Sequence, residues 1–542
     1  MDWDVIVVGL GTAGTSAALA AAKLGLRTLG VERTNMMGGQ YTAGGICFGQ
    51  RPPVVAMHEF EREAEKLGLA RAYETVPLAV GKSGGRFVSV TLVSGGRVRE
   101  ESAKVFVDAT GSATLARLAG MPTRKGRPRD GATARCARSE LWKKGTGEII
   151  PYYKNYAVDL CGDSESYSKA MEFLAGTRVE EFRRLKKIGR MLRPAVLAGG
   201  REELRYVTER IVTFRDLLNE TPWPDVIFHG FGPEDYVSPD GRLAYESDDI
   251  QNWKVICYLP AFGYPYAIPY GTIVAKGVDN LLVPSKHLGV SHDCGGTVRM
   301  QAEMRSSGAA AACAAKVMLS KGCAARDVPY ADLKPLLDRE RTLSHPRQTA
   351  VDTVNGYSFG RRFTADEIVA ALSVPTVRSG EWWNSKAQDG PGERASYAYW
   401  NCWKTALSGT AEDRKSLADR LAAEMAKGGA GEGNFAVALG LMDDRRCLPA
   451  LRAIVRHPGG AADPTGPRIY PNRMKALAFL GRMRDATVVP ELRAILSDGA
   501  RAFTSGVVTT DVFASGELCR AAAAALAEVA LERIEGKRAA AL

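Results

Sequence analysis

The N-terminal residues carry the clearest hydrophobic pattern in the chain. Val5–Val8 is an unbroken run of β-branched residues without polar alternation, which predicts a strand buried on both faces. The stretch Thr15–Leu24 is rich in Ala and Leu and predicts a helix, and Leu26–Val31 predicts a second buried strand that leads into Glu32. Because strand, helix and strand follow one another closely, the pattern predicts a βαβ unit.

A glycine motif joins the first strand to the helix. It reads Gly9-Leu-Gly11-Thr-Ala-Gly14. Gly9 permits a tight turn, Gly11 lets the backbone approach a pyrophosphate, and Gly14 allows the helix to pack closely on the strand. The helix N-terminus offers unpaired N–H groups to the phosphates, and Glu32 can accept hydrogen bonds from ribose hydroxyls. In this setting the motif predicts dinucleotide binding.

Four further segments follow this unit along the chain. A Gly-rich loop at Met37–Gly45 comes soon after Arg33, and an apolar strand within Ala103–Gly111 ends in Asp-Ala-Thr-Gly. Asn280–Pro284 reads Asn-Leu-Leu-Val-Pro, and Gly295–Arg299 leads into a long Ala-rich helix. In this order the segments resemble the FAD-dependent oxidoreductases of the glutathione-reductase-type flavin fold.

The resemblance covers about residues 1–120 and 265–325, and it implies FAD as the cofactor. It also implies that the Asp-Ala-Thr-Gly segment closes over the cofactor crevice. The last helix would point its N-terminus, at Thr297–Met300, toward the flavin ring, and a helix N-terminus suits the negative charge of a reduced flavin. His287 is a predicted FAD contact and a candidate for covalent attachment. The predicted FAD contacts are Gly9, Gly11, Thr12, Ala13, Gly14, Glu32, Arg33, Gly38, Gly39, Gln40, Asp108, Ala109, Thr110, Gly111, His287, Gly296, Thr297 and Val298.

Candidate catalytic residues lie on the two segments that this fold brings to the flavin. His292 is predicted to donate or accept a proton, because an imidazole titrates near neutral pH; the alternative is a hydrogen-bonded structural histidine. Arg299 is predicted to bind a substrate carboxylate or a flavin oxygen, and the alternative is a structural ion pair. Tyr41 is the third candidate, beside Gln40 and Cys47 on the Gly-rich loop.

Together these residues predict an FAD-dependent oxidoreductase that transfers a hydride between flavin N5 and a small organic substrate, with anionic molecules favoured. Its electron donor or acceptor stays open. The glycine-rich run Gly428–Gly433 follows no strand and predicts a turn, so a second nucleotide unit is not expected. Two alternatives also stay open: an FAD-stabilised protein that binds a protein partner through its C-terminal repeats, and a flavin-dependent RNA-modifying protein.

Two segments of the C-terminal third repeat at an offset of 41 residues. Leu439–Ile454 and Leu480–Ile495 are identical at nine of sixteen positions, including a Gly, an Asp, a Pro and the run Leu-Arg-Ala-Ile. A period near 40 with helix, turn and helix resembles HEAT repeats. Two copies are fewer than a free-standing solenoid requires, so the repeats are predicted to pack on the flavin domain. Packing anchors at the predicted junction are Trp382, Trp383, Trp400 and Trp403.

The whole pattern predicts an α/β protein: a Rossmann-like FAD-binding domain with an inserted α+β cap domain, followed by a C-terminal α-helical repeat domain. Helices predicted within the cap are Ser166–Ala175, Val179–Met191 and Arg201–Leu218. The aromatic run Tyr258–Tyr266 is predicted either to wall a substrate site or to pack the cap on its neighbour. The predicted boundaries are 1–121 and 265–330 for the FAD-binding domain, 122–264 for the cap, 331–408 for a linker and 409–542 for the repeats.

Composition is that of a globular protein, because 45% of the 542 residues are hydrophobic and 25% are charged. No run approaches the roughly 18 apolar residues of a membrane span. The N-terminus lacks the basic and apolar regions of a signal peptide, so a cytoplasmic location is expected. Ten cysteines without a CxxC pair or a Cys/His cluster disfavour zinc and iron–sulfur sites, and no metal is expected.

The net charge of +11 is concentrated in one part of the chain. Met121–Arg210 holds 20 Lys/Arg against 12 Asp/Glu, a local excess of +8. Such an excess attracts acidic small molecules, nucleic acid or anionic lipid, while an ordinary solvated surface is the alternative. Aromatic residues do not interleave with the basic ones as they do on single-strand-binding surfaces, so nucleic acid is disfavoured.

Overall fold

The computed structural model divides into two compact units. The first consists of Met1–Gly126, Asp130–Phe231 and Pro265–Gln348, and the second of Arg127–Arg129, Gly232–Tyr264 and Thr349–Leu542. The structure describes residues 3–46, 52–161, 164–187, 189–233, 238, 242–259, 263–344, 362–374, 391–460, 462–463, 470–507 and 516–536. Cys47, Trp382 and Trp383 therefore lie outside the described residues.

Fourteen β-strands occur in the described ranges, numbered here in chain order. They are β1 Trp3–Val8, β2 Thr28–Val31, β3 Ala70–Ala72, β4 Thr75–Ser83, β5 Arg86–Ser94, β6 Arg97–Asp108, β7 Thr123–Arg124, β8 Cys136–Lys144, β9 Ile149–Tyr156, β10 Gly189–Pro194, β11 Arg205–Tyr206, β12 Val226–Pro233, β13 Gly263–Pro269 and β14 Leu281–Leu282.

Eighteen α-helices occur in the same ranges. They are α1 Thr12–Lys23, α2 Pro53–Lys66, α3 Thr114–Leu118, α4 Ser164–Leu185, α5 Phe214–Leu218, α6 Asp248–Gln251, α7 Gly295–Val298, α8 Gln301–Lys321, α9 Tyr330–Arg339, α10 Ala365–Leu372, α11 Pro391–Ser408, α12 Ala411–Met425, α13 Glu432–Leu441, α14 Leu448–Arg456, α15 Asn472–Arg482, α16 Val489–Ala494, α17 Ala500–Phe503 and α18 Gly516–Ile534. Within the described residues, none of these helices combines the length and apolar character that a bilayer crossing needs.

A seven-stranded mixed sheet organises the first unit. Its strand order is β3-β2-β1-β6-β5-β4, and β14 also pairs with β6. Strand β1 is parallel to β2 and to β6, with Val8 opposite Val31 on one side and Asp108 on the other. The long β6 serves both halves of the sheet, because its polar first half pairs antiparallel with β5 and its apolar last residues pair with β1 and β14. The prediction of an α/β fold is confirmed.

Helices α1 and α8 pack closely on each other beside this sheet. A Cβ at Gly308 would lie 2.1 Å from the carbonyl oxygen of Ala13, so the two helix backbones nearly touch. The hydroxyl of Ser16 donates to the carbonyl of Arg305 at 2.7 Å, which fixes the register of the pair. The small residues along both helices allow this approach, because larger side chains would hold the backbones apart.

An antiparallel sheet of order β10-β8-β9 and the helix α4 form a smaller α+β element within the first unit. Two helix predictions in this region are wrong. The predicted helix at 179–191 ends at Leu185, because the chain enters β10 at Gly189 and pairs with β8. Most of the predicted helix at 201–218 is extended: Tyr206 pairs with β7, and only Phe214–Leu218 is helical.

The two repeated segments of the second unit fold in the same way. Helices α13 and α14 flank a short 3₁₀ turn, and α15 and α16 flank an equivalent turn. The side chains of Asp444 and Asp485 each accept the backbone N–H two residues later, which caps these turns. Each turn is preceded by a residue of positive φ, Asp443 or Arg484. The sequence repeat therefore corresponds to a structural repeat, while its assignment to the HEAT class stays a prediction.

Two of the predicted tryptophan anchors are buried in the second unit. The ring of Trp400 packs edge-on against Trp253 and Trp403, with centroid distances of 5.5 and 5.6 Å. Trp253 in turn packs against Tyr264 at 5.3 Å. Trp253 and Tyr264 therefore share a core with Trp400 and Trp403 of α11.

A buried lysine lies in α15 of the same unit. Lys475 is 1% exposed, and its ammonium lies 4.5 Å from the centre of the Tyr399 ring. Burial lowers the pKa of Lys475 from 10.5 to about 8, since removal from water disfavours the charged form. The nearby Cys257 and Asp463 act in the opposite direction but do not restore the usual pKa.

We expect Lys475→Met to stabilise the second unit at neutral pH. The folded-state pKa of Lys475 lies below the unfolded value, so unfolded chains bind more protons than folded ones between about pH 8 and 10.5. The free energy of unfolding therefore rises with pH across that window. Below pH 8 the buried charge costs up to about 3 kcal/mol. Urea unfolding of the full chain at several pH values should show a higher midpoint for the variant at pH 7 and a flatter rise above pH 8.

The exposed Lys415 supplies the matched control, because Lys415→Met removes an ammonium without emptying a buried site. A drop in the unfolding midpoint of Lys475→Met at pH 7 would contradict the prediction. It would mean that the attraction between the ammonium and the Tyr399 ring outweighs the cost of burial.

Candidate functional site

The carboxyl ends of four neighbouring parallel strands meet at one edge of the large sheet. Strands β1, β2, β6 and β14 are parallel neighbours, so the residues that follow them converge. Gly9 follows β1, Glu32 follows β2, Ala109 follows β6 and Val283 follows β14. Ligands of open α/β sheets gather at such an edge.

The glycine turn makes backbone contacts that a side chain would prevent. Gly9 has φ +87°, and a Cβ there would lie 2.7 Å from the Cα of Thr110. A Cβ at Gly14 would lie 1.8 Å from the carbonyl oxygen of Gly9, and one at Gly39 would lie 2.7 Å from the Cα of Gly11. The turn, the end of β6 and the Gly-rich loop are therefore packed backbone against backbone.

Gly11 differs from its neighbours, because a Cβ at this position would meet nothing within 4 Å. Gly11 is also the N-cap of α1 and, having no side chain, makes no capping hydrogen bond to the first turn of that helix. An open space beside an uncapped N-terminus is suited to an anionic group that accepts from backbone N–H donors.

Glu32 is buried and already holds the turn together. Its carboxylate accepts the backbone N–H of Leu10 at 2.7 Å, and it accepts the N–H and hydroxyl of Thr34 at 2.9 and 3.0 Å. A carboxylate has about four acceptor positions, so one remains for a ribose hydroxyl. Part of the role predicted for Glu32 is thus structural.

Asp108 is fully buried at the end of β6 and accepts four hydrogen bonds. The donors are the N–H and hydroxyl of Thr110, the N–H of Leu115 and the hydroxyl of Tyr206, the last at 2.6 Å. Burial opposes ionisation, but the nearby His287 and these donors hold the pKa of Asp108 below its ordinary value. Asp108 therefore carries a negative charge that positions its neighbours.

Tyr206 and His287 complete this buried group. Burial and the charge of Asp108 raise the pKa of Tyr206, so its hydroxyl stays protonated as a donor. The imidazole of His287 packs edge-on against the Tyr206 ring at 5.1 Å, with Nε2 3.7 Å from an Asp108 oxygen. Among the described residues, neither ring nitrogen of His287 has a hydrogen-bond partner.

His292 is buried and paired with a carboxylate. Its Nδ1 lies 2.8 Å from Oε1 of Glu202, and an Arg205 guanidinium nitrogen lies 3.1 Å from the same carboxylate. Burial would raise the pKa of Glu202, but the charges of His292 and Arg205 hold it below its usual value. Because the carboxylate of Glu202 accepts a hydrogen bond from Nδ1, Nε2 is the ring atom at which His292 can exchange a proton.

Arg124 lies close to the same charges. Burial and the like charge of Arg205 lower the pKa of Arg124, while Asp293 and Glu202 act to raise it. Within the described part of the chain, the Nη1 atom of Arg124 is buried without a hydrogen-bond partner. An unsatisfied guanidinium beside a histidine–carboxylate pair is a group that can bind an anion.

Tyr41 and Gln40 have separate surroundings on the Gly-rich loop. Tyr41 is buried, and the guanidinium of Arg305 lies 5.6 Å from the centre of its ring. Tyr41, Thr12, Gly38 and residues of α2 and α8 line a cavity of about 290 Å³. The amide of Gln40 donates to the carbonyl of Ala198 at 2.9 Å, which ties the loop to the chain that follows β10.

The helix predicted to point at the flavin ring begins later in the chain than the sequence predicted. The long helix begins at Gln301 and not at Thr297–Met300, because Met300 is extended (φ −64°, ψ 157°) and separates it from the short α7. Gly296, Thr297 and Val298 are buried within α7. Arg299 is partly exposed between the two helices, and Arg33 is exposed at the strand edge.

The remaining predicted contacts lie at the turn after β6. Ala109 is buried, and its backbone lies against Gly9. Gly111 has φ +76°, and a Cβ there would come within 3.0 Å of the Lys286 side chain. Lys286 in turn pairs with Glu203 at 2.8 Å. The turn after β6 and the segment after β14 are thus in direct contact.

Four residues of this site were not predicted from the sequence, namely Arg124, Glu202, Arg205 and Tyr206. Glu202, Arg205 and Tyr206 lie in a stretch that was expected to be helical, where a carboxylate and a phenol carry no special meaning. The aromatic and β-branched residues Tyr206, Val207 and Thr208 were the available signal for an extended segment.

Comparison with known proteins identifies the family. The pattern of the family described as FAD dependent oxidoreductase matches residues 4–53, 48–195 and 171–337, which together are more than half of the chain. A search of curated proteins finds no significant match.

Three solved structures are similar to parts of this chain. A geranylgeranyl bacteriochlorophyll reductase-like protein from Thermoplasma acidophilum has 13% identity, covering 63% of this chain and 84% of its own, with a TM-score of 0.34. The flavin-dependent brominase Bmp2 has 12% identity, covering 63% and 85%, with a TM-score of 0.30. The thioredoxin reductase of Lactococcus lactis has 23% identity, covering 20% and 36%, with a TM-score of 0.17.

The family match favours an enzyme over a partner-binding or RNA-modifying protein, and it agrees with the glycine turn and strand edge described above. The chain belongs to the FAD dependent oxidoreductase family and binds FAD.

Proposed function

We propose that this enzyme transfers a hydride between flavin N5 and a small anionic organic substrate. The observation that carries the proposal is the buried pair of His292 and Glu202, which lies 2.8 Å apart with two arginines beside it. A histidine held by a carboxylate can move a proton, and a guanidinium with an unsatisfied nitrogen can bind a carboxylate or phosphate.

The residues at the strand edge fit FAD. The gap beside Gly11 and the uncapped start of α1 would hold the pyrophosphate, and the remaining acceptor position of Glu32 would hold a ribose hydroxyl. His287 lies beside Asp108, and neither of its ring nitrogens has a hydrogen-bond partner among the described residues, so it is available for a further hydrogen bond. Bound FAD supplies the redox chemistry, since flavin N5 can accept or donate a hydride.

The protein groups have separate proposed tasks. Glu202 keeps the proton of His292 on Nδ1, so that Nε2 can take a proton from a substrate hydroxyl or return one to a carbonyl. Arg299 and Arg124 are proposed to orient the anionic end of the substrate. Tyr41, buried beside the guanidinium of Arg305, is proposed as a second contact of the substrate or the flavin.

An anaerobic reduction screen tests the function directly. The purified holoenzyme is mixed with a panel of small hydroxy acids and amino acids, each paired with its uncharged amide, and the visible flavin band is followed. We expect bleaching by one or more acids and at least tenfold slower bleaching by the matched amide, because a lost charge-assisted contact costs about 1.5 kcal/mol or more. Bleaching by amides at the same rates would exclude an anionic substrate.

Gly11→Ala should weaken FAD binding without unfolding the protein. The new methyl group meets no protein atom within 4 Å, but it occupies the gap proposed for the pyrophosphate. We expect a dissociation constant for FAD raised by about tenfold or more, equivalent to about 1.4 kcal/mol, measured by titration of the apoprotein. Gly145→Ala, which also meets nothing within 4 Å in the turn between β8 and β9, is the control.

FAD affinity unchanged in Gly11→Ala would place the pyrophosphate elsewhere. An equal loss in Gly145→Ala would mean that the effect is not specific to the glycine turn.

Removing the charge of Glu202 should change the pH dependence of catalysis. We expect Glu202→Gln to reduce flavin more slowly, by about tenfold, and to shift the limb of the pH–rate profile assigned to His292 toward lower pH, because the imidazolium loses its counter-charge. His292→Asn should lower the rate by about a hundredfold or more and abolish that limb. Both variants should keep FAD, as judged from the visible spectrum.

Glu209→Gln is the matched control, because Glu209 is an exposed carboxylate on the same segment. An unshifted pH–rate profile in Glu202→Gln would remove this pair from the mechanism, even if the rate fell.

A further inference from the structure

The C-terminal part of helix α4 and the start of β10 present an unusual surface on the first unit. We call residues 178–187 and 189–193 the basic tip. The tip holds seven Lys/Arg against two Glu. One of the two acids, Glu181, is buried and accepts hydrogen bonds from Lys154, Arg184 and Tyr152. Its charge is therefore neutralised within the unit.

Four cations of the basic tip are exposed and carry no ion pair within the described residues. They are Arg183, Lys186, Lys187 and Arg190. A cation in the last turn of a helix also interacts with the helix dipole, which accounts for Arg183. Lys186, Lys187 and Arg190 lie beyond the end of the helix, so the dipole does not explain them.

Apolar side chains are exposed among these cations. Val179 is 53% exposed, Phe182 is 46% exposed and Leu192 is 40% exposed. The ring of Phe182 contacts Trp142 on its inner side, with centroids 6.0 Å apart, so its orientation is held while its outer part faces solvent. Single exposed apolar residues are ordinary on protein surfaces. Here, three of them lie within fourteen residues, beside four cations that have no ion pair within the described residues, so the surface is both basic and apolar.

We propose that the basic tip binds an anionic lipid surface. Clusters of four or more Lys/Arg attract acidic headgroups at about 1 kcal/mol each, and apolar side chains between them can enter the boundary of the acyl chains. Two of the three exposed apolar side chains, Val179 and Leu192, are aliphatic and offer no ring on which a base can stack, which favours lipid over nucleic acid. The positive charge and the exposed apolar side chains of the basic tip are both complementary to an anionic membrane interface.

Vesicle flotation with the full-length holoenzyme tests the proposal. We expect binding to vesicles of phosphatidylcholine with phosphatidylserine, much weaker binding to phosphatidylcholine alone, and a decline with added salt. The charge variant Lys186→Glu/Lys187→Glu/Arg190→Glu should lower the partition coefficient by about a hundredfold. The apolar variant Val179→Ser/Leu192→Ser should lower it further at high salt, where insertion and not charge holds the protein on the vesicle.

A charge-matched control separates this surface from the general basic character of the chain. Arg97→Glu/Arg117→Glu/Lys276→Glu reverses three exposed cations of the same unit that lie outside the tip. This control should bind anionic vesicles about as tightly as wild type. The visible flavin spectrum of each variant shows whether the fold is kept.

Several results would overturn the proposal. One is binding that does not depend on phosphatidylserine, and another is an equal loss in the charge-matched control. A third is the absence of vesicle binding together with binding to single-stranded RNA or to polyglutamate, which would identify the tip as a nucleic-acid or acidic-protein surface. An unchanged partition of the apolar variant at high salt would exclude insertion into lipid.

Discussion

Backbone contacts around the glycine turn are the constraint on which the cofactor edge of the first unit depends. A Cβ at Gly14 would lie 1.8 Å from the carbonyl oxygen of Gly9, and a Cβ at Gly9 would lie 2.7 Å from the Cα of Thr110, just after β6. These contacts bring the N-terminus of α1 to the strand edge and leave the gap beside Gly11 open. A single methyl group at Gly9 or Gly14 would separate the helix from the sheet and close the site.

Two buried carboxylates extend this arrangement into the rest of the unit. Burying a carboxylate is costly unless several donors satisfy it, and Asp108 has four while Glu202 is flanked by His292 and Arg205. Each carboxylate therefore holds groups from distant parts of the chain in one geometry. Asp108 joins the end of β6 to Tyr206, and Glu202 joins its loop to the segment after β14. The proposed chemistry depends on these links.

The second unit is organised by a buried polar core as well as by apolar packing. Arg473 forms a buried ion pair with Asp463 and donates to the carbonyls of Phe503 and Ser505 at 2.7 and 2.9 Å. Two residues along α15, Lys475 is buried against Tyr399 and forms no ion pair with any described residue. Such groups add little net stability, but they favour one packing of the helices over alternatives, because other arrangements would leave the charges unsatisfied.

The sequence alone determined the βαβ unit, the cofactor class and the helical repeat, because each depends on local spacing. Val5–Val8, the glycine motif and Glu32 are adjacent in the chain, and the repeat was visible as identical residues at a constant offset. The family match and the structure agree with these predictions for FAD binding and the α/β fold.

Only the tertiary structure decided which groups meet at the site. Glu202 and His292 are 90 residues apart, and Asp108 and Tyr206 are 98 apart. Propensity predicted a helix through Tyr206, but pairing with β7 and the hydrogen bond to Asp108 made that residue part of a strand. Likewise, the extended backbone of Met300 makes the last helix begin at Gln301, after the start predicted at Thr297–Met300. A buried charge selects its partners by position in space, and that position is set by the packing of the whole unit and not by neighbours in the chain.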